Sequence, residues 1–85
     1  MEKRIGVVGI VIEDKTQSAR QVNDVLSLFG DIIIGRMGIP HRAHDISVIS
    51  LIVEGGTDEI GALTGKLGQI AGIAVKSVMT KTVVS

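Results

Sequence analysis

Two runs of the chain, Arg4–Ile12 (RIGVVGIVI) and Ile46–Glu54 (ISVISLIVE), are apolar or small on both of their alternating faces. Each is rich in β-branched residues and too short for an independent helix, so both read as strands. Alternation places Ile5, Val7 and Val11 on one side of the first run and Val8, Ile10 and Ile12 on the other. A strand that is apolar on both sides belongs in the interior of a sheet, covered above and below.

The segments between them supply the rest of the architecture. After Glu13-Asp14-Lys15-Thr16, where Asp14 or Thr16 is placed to cap a helix, Ala19, Val22, Val25, Leu26 and Phe29 recur at helical period. Gly30 ends that helix. Ile32–Ile39 reads as a strand weakened by Gly35 and Gly38. Thr57 is the expected N-cap of a second helix with Asp58 and Glu59 in its first turn. Ile60, Leu63, Thr64 and Leu67 form its buried stripe, and Gly68 is its expected C′ residue. Ala74–Val84 is the fourth strand.

The order β-α-β-β-α-β predicts a ferredoxin-like sandwich, an α+β fold in which a four-stranded antiparallel sheet carries two helices on one face. The two most apolar runs take the central positions. At 85 residues, with no linker or low-complexity stretch, the chain reads as one domain, 1–85. Two helices cover one face only, so the other would expose a large apolar patch, which marks an interaction surface. Self-association, as a dimer or tetramer, follows as an expectation.

Cysteine is absent, which removes disulfides and thiolate metal sites. Nine basic and nine acidic residues cancel, so no long-range field draws the chain to a polyanion. Phe29 is the only aromatic residue. The central strands therefore lack the base-stacking rings of RNA-binding ferredoxin-like domains, and no direct nucleic-acid binding is expected. No signal peptide is evident and no apolar run approaches the roughly 20 residues that cross a bilayer. A cytoplasmic protein without membrane contact is the expectation.

Polar chemistry concentrates in GRMGIPHRAHD, residues 35–45, which holds both histidines and two of the four arginines. His41, His44 and Asp45 are metal-ligand types, but a site needs three or four converging donors unless another subunit contributes. Turns also collect Pro, His and Asp for backbone reasons. Three readings stand: a solvated hairpin, an anion contact through Arg36, His41 and Arg42, and a metal site through His41 and His44. No metal is expected from one chain alone, and no cofactor is indicated.

The second helix is glycine-rich. Gly61-x-x-x-Gly65-Lys66 is one residue short of a phosphate loop, no Ser or Thr follows Lys66, and Asp58 and Glu59 would repel a phosphate. Gly61, Gly65 and Gly68 border the apolar stripe. They suit close packing on the sheet or on another subunit, or the rim of a ligand pocket. With no nucleophile elbow and no carboxylate pair beyond the helix starts, an enzyme is not expected.

Two resemblances add to this reading. The runs RQVNDVLSLFGDIIIGRMGIP and DEIGALTGKLGQIAGIAVKSVMTK resemble the small bacterial proteins called putative iron-only hydrogenase system regulators. That resemblance covers nearly the whole chain. It implies a stand-alone, oligomeric, ACT-like ferredoxin-fold domain with a regulatory role, and carries over no functional residue. The run HDISVISLIVEG is similar to a strand in the C-terminal domain of the nickel-responsive repressor, where a His-x-His pair and a cysteine hold nickel. Here Ile52 and Glu54 occupy the two histidine positions, so the resemblance implies a shared scaffold without that metal square. ACT domains bind ligands at a glycine in the loop after the first strand. Residues 13–16 lack one.

The expected function is a non-catalytic regulatory module, a regulator of an iron-only hydrogenase system, that binds a small ligand or a protein partner at an oligomer interface. Arg36, His41 and Arg42 would donate to an anionic ligand, with Gly61 and Gly65 at the rim. The alternatives are a metal-responsive sensor using His41 and His44, and a structural assembly partner.

Overall fold

The computed structural model of the chain describes residues 2–13, 17–41 and 46–84. The elements are β1 (Lys3–Ile12), α1 (Gln17–Leu28), β2 (Ile33–His41), β3 (Ile46–Gly55), α2 (Thr57–Gly68) and β4 (Ile73–Val84), with a turn of 3₁₀ helix at Gly30–Ile32. The four strands form one antiparallel sheet in the order β2-β3-β1-β4. This is the ferredoxin-like sandwich, with the two doubly apolar runs at its centre.

Register explains which side chains meet the helices. Val8 lies opposite Leu51 and Ser77, and Ile10 opposite Ile49 and Val75. Val8, Ile10, Ile12, Leu51 and Val53 are buried under Val22 and Leu26 of α1 and Ile60, Leu63 and Leu67 of α2. The 3₁₀ turn inserts Ile32 beside Gly55. A Cβ at residue 55 would stand 3.1 Å from Ile32 Cγ2 and 3.3 Å from Glu59 Oε1. Gly55→Ala is therefore expected to cost about 1–2 kcal/mol by overpacking. Urea unfolding checks this, and an unchanged midpoint would contradict the contact.

Several boundaries differ from the sequence expectation. The N-cap of α2 is Gly56 rather than Thr57. Having no side chain, Gly56 donates its backbone N–H to Glu59 Oε1 at 2.9 Å, which is half of a capping box. Glu59→Ala should remove about 1 kcal/mol of stability, and Glu59→Gln should restore most of it, as read by thermal melts. Gly68 is the last residue of α2 and not a left-handed C′ glycine. The positive-φ glycine of the described residues is Gly72, at φ 81°, in the turn into β4. Its carbonyl accepts from Glu13 N–H at 2.8 Å and ties that turn to the end of β1. The expected caps of α1, Asp14 and Thr16, lie outside the described residues.

Among the described residues, no helix covers the second face of the sheet. By register, Val7, Met37, Ile39, Val48, Ile52 and Val78 share it, with Ile34 beside them in the bulge of β2 between Ile33 and Gly35. These seven are among the exposed large hydrophobic residues, from 37% for Ile52 to 70% for Val78. Row by row, Met37, Ser50, Gly9 and Lys76 cross the middle of this face, flanked by Ile39-Val48-Val11-Ala74 and Gly35-Ile52-Val7-Val78.

Candidate functional site

Arg36 lies opposite Leu51 in the register, so its side chain leaves β2 on the helix side of the sheet. Its Nη2 donates to Asn23 Oδ1 of α1 at 3.1 Å. The two form one side of a cleft of about 200 Å³ between α1 and the β2–β3 edge. Ile12 and Ile49, both buried, form its floor, and Gly38 and Pro40 its strand wall. No carboxylate is among the described residues that line it. Among the described residues Arg36 commits one donor, to a neutral amide, and stands over an apolar floor, an arrangement suited to a small anion.

The other expected site residues are distributed as follows. His41 ends β2, opposite Ile46 in the register, and is not among the described residues that line this cleft. Arg42 and His44 lie outside the described residues, as does Asp45. Gly61 and Gly65 sit on exposed positions of α2, and a Cβ at either would meet nothing within 4 Å. They do not pack on the sheet, and they do not line this cleft. Among the described residues, no group of three or more His, Cys, Asp or Glu side chains could hold a metal ion.

A larger cleft, about 640 Å³, opens between α1 and the turn after α2. Sequence reading missed it, because it depends on how α1 meets the segment before Gly72. There Ser18 Oγ donates to Ala71 O at 2.7 Å, and both an acid, Asp24, and a base, Lys66, are among the lining residues. Among the described residues, the smaller cleft is lined by a base and no acid.

Sheet order, the helix pair on one face and the bare second face define a domain of the ferredoxin-like α+β class. Over residues 4–77 the chain matches the TM1266-like family model, described as iron-only hydrogenase system regulator, putative, and it belongs to that family. It is similar to protein TM1266 from Thermotoga maritima, with 45% identity and a TM-score of 0.91 over 94% of this chain and 100% of that one. The ACT domain of GTP pyrophosphokinase from Chlorobium tepidum shares the fold at 24% identity and TM-score 0.76, covering 89% and 99% of the two chains. A putative glycine cleavage system transcriptional repressor shares it at 15% identity and TM-score 0.70, over 94% of this chain and 47% of that one. No curated protein matches this chain in sequence. No helix among the described residues is long and apolar enough to cross a membrane.

Proposed function

We propose that this chain is a non-catalytic, cytoplasmic regulatory module that works as a homo-oligomer, its bare sheet face covered by a second copy. In this reading it regulates an iron-only hydrogenase system by changing its packing when a small ligand or protein partner binds near that contact. Arg36, His41 and Arg42 serve as the donors to an anionic ligand. The side-chain-free strip at Gly61 and Gly65 leaves room for another backbone to approach.

The observation that carries the proposal is the bare face, and accessible area gives it a scale. The chain exposes 5538 Å², whereas a monomeric protein of 8.9 kDa is expected to expose about 4,800 Å². The exposed large hydrophobic residues of the bare face contribute to this surplus. The sheet edges disfavour strand addition, because Lys81 lies on β4 and Pro40 interrupts the donors of β2.

Association coupled to folding makes stability depend on concentration. The melting temperature is expected to rise over about a hundredfold increase in protein concentration, and a constant value would count against the proposal. In the cell, removing the gene should change hydrogenase levels or activity, and unchanged hydrogenase would argue against the regulatory role.

A further inference from the structure

We infer that the Arg36 cleft binds a small aliphatic monocarboxylate, carboxylate on Arg36 and hydrocarbon tail on the Ile12–Ile49 floor. The inference rests on the proposed reading of Arg36 as an anion donor, and narrows it to a chemical class.

Charge sets one end of the ligand. Arg36 meets the neutral Asn23 Oδ1 at 3.1 Å, and no acid among the described lining residues neutralises it. A carboxylate would complete the guanidinium through paired, charge-assisted hydrogen bonds. The rest of the ligand follows from the same lining, because among the described residues an ammonium group placed here finds no counter-ion and faces the like charge of Arg36. A plain carboxylate is therefore preferred over an amino acid of the same length.

Shape sets the other end. The cleft is small, about 200 Å³, and its apolar floor suits a short hydrocarbon chain. The floor side chains, Ile12 at 1% and Ile49 at 7% exposure, are held by the core and so are preformed. Gly38 opens the space. It lies opposite Ile49, and a Cβ there would sit at an ordinary 3.8 Å from Ile49 Cγ1. A larger side chain at 38 would fill the cleft without disturbing the ladder.

The test titrates the full chain with butyrate, butyramide and 2-aminobutyrate by calorimetry, with sedimentation of the same samples. Butyrate is expected to bind with a dissociation constant on the order of 1 mM, and butyramide and 2-aminobutyrate at least about tenfold more weakly. Arg36→Gln should abolish the preference for butyrate over butyramide. Gly38→Val, which suits a strand, should abolish binding while the circular dichroism is retained. Equal affinity for butyrate and butyramide, no butyrate binding, or butyrate binding unchanged in Arg36→Gln would each overturn the inference. The analogue comparison on the unmodified chain holds even if a variant fails to fold. Sedimentation separates the two readings: an oligomer that ignores butyrate defeats this inference alone, and a single chain that binds it defeats the oligomer alone.

Discussion

Leu63→Ala is expected to lower the unfolding free energy by about 3 kcal/mol. Leu63 is fully buried in the middle of α2, between Ile60 and Leu67 on the same stripe, and belongs to the cluster that holds Val8, Ile10 and Leu51 of the sheet. Truncation removes its transfer energy and leaves a cavity, since the central strands are held on both sides by ladders and have little freedom to close it. For a small domain, whose whole stability is about 5–15 kcal/mol, that is a large share. The melting temperature should fall by roughly 15 °C. Urea and thermal unfolding at one fixed protein concentration check it, and a loss under about 1 kcal/mol would contradict the packing of α2.

The second large effect belongs to the other side of the sheet. Ile52→Lys places an ammonium group between Val7 and Gly35, on a central strand of the bare face. In a single chain Ile52 is already 37% exposed, so the lysine reaches water and the fold survives. Under a second copy it would be buried without a partner, and two-fold related copies would bring two such charges together. The dissociation constant of the assembly should rise by about 10²–10³-fold, equivalent to about 3–4 kcal/mol, with the circular dichroism unchanged. Assembly as strong as in the unmodified chain would show that this face is not the contact.

Much of the fold was legible because its central strands impose two demands at once. Val8, Ile10 and Ile12 needed a helix layer, Ile5, Val7 and Val11 needed something else, and only an interior position meets both. The strand after α1 was read short. Pro40 and His41 look like turn residues, yet β2 continues through both, with Pro40 opposite Ser47 and His41 opposite Ile46. An edge strand tolerates proline because one side of its backbone has no partner to lose. The cap of α2 was misplaced for a related reason: a carboxylate three residues along, Glu59, does the work usually sought in a Ser or Thr at the N-cap.

The candidate site was legible only in part. Arg36 stood out as a charge in an apolar strand, but its partner Asn23 is 13 residues away on the preceding helix, and no local pattern links them. The bulge at Ile33–Gly35 decides that Arg36 turns toward α1 while Met37 and Ile39 join the bare face. Sequence alternation alone leaves that parity open. Gly61 and Gly65 drew attention by their spacing, and the structure places both on the solvent side of α2 with open space around them.

The most direct measurement is sedimentation equilibrium of the unmodified chain at micromolar concentration. A particle of two or four chains, reduced to one chain by Ile52→Lys, is the result this account requires. A single 8.9 kDa species throughout, with Val7 and Ile52 open to solvent, would contradict it.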